Sequence, residues 1–312
     1  MTNKKINIIY IASNGRSGST LLDLLLGAHP NIWSTGEFQN LYWELKNSKQ
    51  PCGCGKHISQ CDFWKPIILD HSSLLESGII HHFRETGGGG KVVRFGEFPY
   101  IMRKSWGNLN RQKTLENYGK KNAEVLNDVL QRAKVYKGGQ VNWLVDASKD
   151  LYRLLWLRQS GYFNLKVIHL MKIPQAFVFS MTKNDRGWLR FKRTFRMTGR
   201  WIVENFLIHQ AVRNHFSPSN VIKLGYEDLA DAPHQTLEQL MHWLELPYDP
   251  SVVDQFRNTQ HGISGNEMRY RKDPVKLDIK WRYLLPPFYQ KSIRIMTAMV
   301  EKNWHVPQKD NR

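Results

Sequence analysis

Apolar residues along the chain follow two different periods, and the switching between them predicts its elements. Ile8, Ile9, Tyr10 and Ile11 form a β-branched, nearly continuous apolar run that predicts a strand over residues 5–13, and the leucine-rich stretch 20–28 then takes up helical spacing. A shorter run at 32–35 predicts a second strand, and strong strand signals return at 141–146 (VNWLVD), 165–171 (LKVIHLM) and 221–224. Helical spacing fills the intervals. It is clearest at 113–136, where Leu115, Tyr118, Val125, Leu126, Val129, Leu130 and Ala133 share one face, and it recurs at 151–159, after Pro174, at 201–216, at 233–246 and at 281–300. The last of these is expected to pack against the layer of the first strand. Gly87, Gly88, Gly89 and Gly90 interrupt residues 69–100 and predict a long loop or a mobile flap there. Strands alternating with helices, without a linker or a shift in composition, predict one α/β domain over residues 1–312. Its central sheet is mostly parallel and flanked by helices, with right-handed crossovers.

The turn between the first strand and the first helix reads Ser13-Asn14-Gly15-Arg16-Ser17-Gly18-Ser19-Thr20. Gly15 and Gly18 open backbone conformations closed to other residues, and the free N–H groups and dipole of the following helix face whatever the turn encloses. This is a P-loop-like arrangement for an oxyanion, but it departs from G-x-x-x-x-G-K-[ST]. Ser19 stands where the lysine should be, and no lysine occurs between Lys5 and Lys46, so Arg16 supplies the charge. By its own geometry the stretch says only that an anion can sit at a helix N-terminus. A Gly/Ser-rich βα turn without a ligand is the plainer alternative.

Charge sharpens that reading. With 45 Lys and Arg against 27 Asp and Glu, the formal net charge is +18, which implies either a polyanionic partner or a pocket for a small, highly charged anion. The basic residues are spread through the chain, and no helix-turn-helix, RNA-binding aromatic or zinc-finger spacing is present, so nucleic acid is not the expected partner. No run reaches the roughly 18 apolar residues of a membrane span, and residues 1–5 lead into the first strand without a signal-peptide core. A cytoplasmic protein that does not engage membranes is expected.

Other candidate residues lie at the ends of predicted strands, where ligands of open α/β sheets bind. Gly36-Glu37 follows the second strand. A carboxylate there suits a general base for an acceptor hydroxyl, or else is a surface glutamate capping the next helix. Lys149, in the turn after residues 141–146, is either a charge-neutralising group or a solvated helix-start lysine. Segment 184–200 carries six Arg or Lys and three large aromatic residues in seventeen positions, which fits a grip on an anionic or ring-bearing molecule or an exposed helix. Cys52, Cys54, His57 and Cys61 can in principle complete a tetrahedral metal site, yet Cys-x-Cys is tighter than the usual zinc spacing and no second knuckle follows. No metal is therefore expected. The three cysteines form no disulfide framework.

GRSGSTLL, followed by His29-Pro30-Asn31 and Gly36-Glu37, resembles the phosphosulfate-binding segment of sulfotransferases that use 3′-phosphoadenosine 5′-phosphosulfate (PAPS). Further motifs resemble the same family in the same order. They are Asp146-Ala147-Ser148-Lys149, then Lys172 with Ser180 eight residues on, Tyr226-Glu227-Asp228-Leu229, and the glycine-rich loop from His261 to Arg269. The resemblance implies that Gly15, Arg16, Ser17, Gly18, Ser19 and Thr20 hold the phosphosulfate and that Glu37 is the base. It also implies that Lys149 offsets charge on the transferred group, that Lys172, Ser180 and Arg269 clamp the 3′-phosphate, and that catalysis needs no metal. Arg271 and Lys272 lie near Arg269. Lys172-Ile173 replaces the family's Arg-Asp/Asn, which loses the bidentate fork of arginine. The Tyr-Glu-Asp-Leu motif is expected to serve packing, and the Cys-x-Cys-Gly segment, also similar to one in bacterial sulfotransferases, a structural loop near the acceptor that can hold a labile disulfide. The implied reaction moves a sulfuryl group from PAPS to a hydroxyl or amine of a small-molecule or natural-product acceptor. A carbohydrate acceptor, a P-loop kinase-like phosphotransferase and a basic nucleic-acid-binding protein are the alternatives.

Overall fold

Five strands form where β-branched and aromatic residues concentrate: β1 (Ile6–Ser13), β2 (Ile32–Ser34), β3 (Trp143–Asp146), β4 (Phe163–Met171) and β5 (Val221–Gly225). They are seen in a computed structural model that describes residues 5–47, 50–76, 98–102, 109–271 and 273–304. The strands make one sheet in the order β2-β3-β1-β4-β5, and every neighbouring pair is parallel. Tyr10 sets the register at the centre, opposite Asp146 on one side and Val167 on the other. The chain builds first to one side of β1 and then to the other. The strand order therefore reverses beside β1, and a crevice opens at the carboxyl ends there.

Period-two alternation divides the core between the two faces. Ile8, Tyr10 and Ala12 pack toward the helices Leu109–Tyr136, Leu151–Ser160 and Gly187–His215. Ile9 and Ile11 pack toward Ser19–Ala28, Tyr226–Asp231 and Pro233–Leu244. Burial on both faces is why β1 reads as a continuous apolar run instead of an alternating one.

The α/β class and parallel sheet expected from the sequence are present, with three differences in detail. Residues 187–215 form one helix, so the basic-aromatic segment and the amphipathic segment after it are continuous. The terminal helix expected over 281–300 is two, Lys280–Leu284 and Pro287–Trp304, because Pro286-Pro287 cannot continue a helix but can begin one. It does not pack on the layer of β1. Leu285 and Ile293 instead join Phe177, Val178, Met197 and Trp201 in a separate apolar cluster built on the helices Pro174–Thr182 and Gly187–His215. Gly87–Gly90 and Lys272 lie outside the described residues. Among the described residues no helix is long and apolar enough to cross a membrane.

A buried polar network fixes the end of β3. Asp146 Oδ2 accepts from Arg153 Nε at 2.9 Å, with both side chains no more than 2% exposed, and Arg153 Nη1 donates to the Tyr118 hydroxyl at 2.6 Å and to Asn122 Oδ1 at 2.9 Å. The same carboxylate receives the Ser148 N–H at 2.9 Å. Three elements and the turn that carries Lys149 thus share one carboxylate. Replacing Asp146 by Ala leaves Arg153 charged and buried, and is expected to cost about 3–5 kcal/mol in denaturant unfolding. A loss below about 1 kcal/mol would show that the network is dispensable.

Candidate active site

The turn after β1 is tight enough to need two left-handed residues, Arg16 at φ 71° and Gly18 at φ 87°. Glycine is required at the second. A Cβ on Gly18 would overlap the ring of Tyr226, which packs against the turn from the end of β5. The helix Ser19–Ala28 begins directly after Gly18 without a side-chain cap, so its first N–H groups open into the crevice. The hydroxyls of Ser13 and Ser17 and the Asn14 side-chain oxygen are buried there with no hydrogen-bond partner.

Glu37 and Lys149 arrive from the ends of adjacent strands and pair, Lys149 Nζ donating to Glu37 Oε1. Each arrives through a left-handed residue, Gly36 at φ 68° and Lys149 itself at φ 64°. Gly36 forms a parallel bridge with Ile263, and a Cβ at that position would overlap the Ile263 backbone. The Glu37 N–H donates to the Ile263 carbonyl at 2.7 Å, and Asn40 Nδ2 donates to Glu37 Oε2 at 3.0 Å. Glu37 occupies the N-cap position of the turn Phe38–Asn40 without a side-chain capping bond, and its side chain is only 13% exposed. Neither the surface cap nor the solvated lysine describes this pair.

A cavity of about 920 Å³ lies over the turn and collects Gly15, Arg16, Gly18, Ser19, Thr20, Glu37, Lys149, Lys172 and Ser180. Ser17 is buried beneath the turn. Lys172 is 8% exposed, with its ammonium 4.2 Å from the centre of the Tyr226 ring. Burial lowers its pKa, and the carboxylates of Glu227 and Asp278 act against that shift. Burial likewise raises Glu227 to about 7, and its Oε1 accepts the Ile173 N–H at 3.1 Å. The backbone at residue 173 carries a polar link although its side chain cannot. Ser180 Oγ donates to the Phe177 carbonyl at 2.7 Å.

Arg269 is not brought to Lys172 and Ser180. Its guanidinium donates to the carbonyls of Gly262, Ser264 and Pro51 and to the Tyr270 hydroxyl, and it lines a second, smaller cavity. Arg271 lines both cavities. The basic-aromatic segment divides: Asn184 and Arg190 line the large cavity, while Trp188 is 75% exposed and stacks on Phe191. Asn266, within the loop 261–269 singled out in the sequence, donates its N–H to Thr20 Oγ1 at 3.2 Å, whereas sequence reasoning missed Tyr226 as a cavity residue and the wall formed by Lys276, Lys280 and Trp281. Tyr226 could have been found, since it directly follows a strand at the ligand-binding edge. His57, grouped with the cysteines in the sequence, instead accepts the Ser59 N–H, and the imidazole that meets the three thiols is that of His261.

The smaller cavity, about 220 Å³, shares Ser19, Thr20, Glu37 and Lys149 with the larger one. Asp23 lies in its wall and accepts from the Ser34 hydroxyl at 2.7 Å, while Ser34 Oγ receives the Gly36 N–H at 3.1 Å. Burial raises Asp23 from 3.8 to about 7.

No protein-family model matches the chain. Its fold is that of sulfotransferase domains. It superposes on the sulfotransferase domain of the Synechococcus PCC 7002 olefin synthase with a TM-score of 0.55 and 19% identity, over 99% of this chain and 98% of that domain. The sulfotransferase domain of the curacin biosynthetic pathway matches with a TM-score of 0.52 and 14% identity, over 95% of this chain and 98% of that domain. In sequence the chain is 24% identical over 131 residues to an uncharacterized protein of Aquifex aeolicus (strain VF5), a match spanning 39% of this chain and 17% of that relative.

The raised pKa of Asp23 has a defined sign. Below about pH 4 the carboxyl is protonated in both states and its contribution is whole. As pH rises to about 7 only the unfolded chain ionises, so stability is lost across that window. Asp23→Asn cannot ionise, so its melting temperature should gain on that of the unaltered protein between pH 4 and 7 and run parallel above. A gap that narrows with rising pH would mean that Asp23 is held ionised.

Proposed function

We propose that the chain transfers the sulfuryl group of PAPS to a hydroxyl or amine of a small acceptor. The observation that carries the reading is one cavity that joins an uncapped helix N-terminus, with Arg16 beside it, to a Glu37–Lys149 pair on one side and Lys172 and Ser180 on the other. Cationic groups at more than one point of the cavity wall suit a nucleotide with charge at two places. The N–H groups of residues 15–20, with Arg16 and the hydroxyls of Ser19 and Thr20, hold the phosphosulfate and stabilise charge that grows on the leaving phosphate. Lys172 and Ser180 receive the 3′-phosphate, whose charge favours the ammonium that burial disfavours.

Glu37 accepts the acceptor proton as the acceptor oxygen or nitrogen attacks sulfur. The bond from sulfur to the bridging oxygen breaks, and its electron pair leaves on the 5′-phosphate of 3′-phosphoadenosine 5′-phosphate. Lys149 passes from Glu37 to that bridging oxygen, which frees the carboxylate as it steadies the leaving group. The smaller cavity is also lined by Glu37 and Lys149 and receives the acceptor. Its volume favours a small acceptor over a carbohydrate chain.

Calorimetric titration with 3′-phosphoadenosine 5′-phosphate, beside Mg-ATP and a duplex oligonucleotide, tests the donor site. Micromolar or tighter binding of the bisphosphate alone is the expected result. Preference for Mg-ATP would move the chain to phosphoryl transfer, and salt-sensitive binding of the duplex would make it a nucleic-acid-binding protein. With the donor established, Glu37→Gln should lower turnover by about 10² to 10⁴ and leave the bisphosphate affinity within about a factor of three. Turnover that survives requires another base. Lys172→Ala with Ser180→Ala should weaken the 3′-phosphorylated nucleotide about 10–100-fold while hardly changing its dephosphorylated analogue. Equal losses for both nucleotides would remove the two residues from that role.

A further inference from the structure

Outside the proposed donor site, one cluster gathers residues that the proposed chemistry does not use. Cys52, Cys54, Cys61 and His261 each present one ligand atom, and the four atoms lie within 4.8 Å of one another. Cys54 and Cys61 Sγ are 3.7 Å apart, and His261 Nδ1 is 3.2 Å from Cys61 Sγ and 3.9 Å from Cys52 Sγ. A zinc ion with Zn–S near 2.3 Å and Zn–N near 2.0–2.1 Å has tetrahedral edges of about 3.5–3.8 Å. All three cysteines are free, and the 3.7 Å sulfur separation is well beyond the roughly 2.05 Å of a disulfide bond. We infer that Cys52, Cys54, Cys61 and His261 bind a structural zinc ion.

The surroundings are those of a ligand set and not of four packed apolar groups. His261 Nε2 lies 2.9 Å from the Tyr136 hydroxyl, whose oxygen can accept that nitrogen's proton and so leave the Nδ1 lone pair for the metal. Cys52, Cys61 and His261 are buried, and the rings of Trp33, Phe63 and Tyr136 pack around the imidazole. Three thiolates and one imidazole form a soft set that suits zinc over magnesium or calcium, and four protein ligands leave no position for a substrate. Binding deprotonates the three thiols and releases their protons to solvent.

The ion joins two segments far apart in the chain. Gly53 N–H donates to the Gly262 carbonyl at 3.1 Å, and the next residue, Ile263, bridges Gly36 and accepts the Glu37 N–H. Zinc thereby holds the loop that seats Glu37. The Cys-x-Cys spacing argued against this site because all four ligands were sought within ten residues. The fourth comes from the other end of the chain.

The test needs no substrate, so its outcome is separate from that of the sulfuryl-transfer reading. The purified full chain should contain one zinc per molecule by elemental analysis. Titration with an organomercurial should release that zinc as three thiols react. Exchange for Co²⁺ should give the charge-transfer absorption of thiolate ligands. Cys61→Ser and His261→Ala should lose most of the zinc, and His57→Ala should keep it. If the first two variants fail to fold, the stoichiometry and the Co²⁺ spectrum of the unaltered protein still decide. Protein without metal, carrying three reactive thiols or a Cys54–Cys61 disulfide two hydrogens lighter by mass, would overturn the inference.

Discussion

The carboxylate of Asp146 is the constraint on which the crevice depends. At the centre of the sheet edge it must satisfy a buried guanidinium through one oxygen and a backbone N–H through the other. Ser148, held in this way, receives the Gln39 N–H on its hydroxyl at 3.2 Å and Gln39 Nε2 on its carbonyl at 2.9 Å. The turn that presents Lys149 and the segment that presents Glu37 are therefore indexed to each other through one residue. An ion pair placed this deep contributes little net stability over an apolar replacement, and its value lies in allowing one arrangement only.

The same economy governs the backbone. Three strand ends turn through left-handed residues, at Arg16 with Gly18, at Gly36 and at Lys149. Two of these are not glycine and carry a steric cost of roughly 1–2 kcal/mol each. The cost is offset by the networks around them, and it aims two cations at one crevice. Net positive charge spread over the chain supplies the wider field, but the crevice is cationic because the turns make it so.

Much of this was legible in the sequence for local reasons. A βα turn with two glycines, a strand end followed by Gly-Glu, and another followed by Ser-Lys are each encoded within a few residues, so the turns that carry Arg16, Glu37 and Lys149 were legible as pattern, while the roles given to them came from the family resemblance. Arg269 was not, because the partners that decide where an arginine points are here the carbonyls of Pro51, Gly262 and Ser264, which no periodicity reveals. His57 and His261 make the same point. Proximity in sequence grouped His57 with the cysteines, whereas the fold brings His261 to them from 200 residues or more along the chain. The break in the terminal helix was less legible for a simpler reason, since apolar spacing continues on both sides of Pro286-Pro287.

The bridge between Gly36 and Ile263 also orders events in time. During synthesis Glu37 leaves the ribosome with β1 and the first helix, well before the Ile263 carbonyl that receives its N–H. A contact of such long sequence separation has a large loop to close, a cost that non-local contacts meet before they contribute stability. Each nascent chain thus carries the parts of its crevice for most of its synthesis without being able to join them. The geometry around Glu37 comes into being only once the segment that carries Ile263 has joined it.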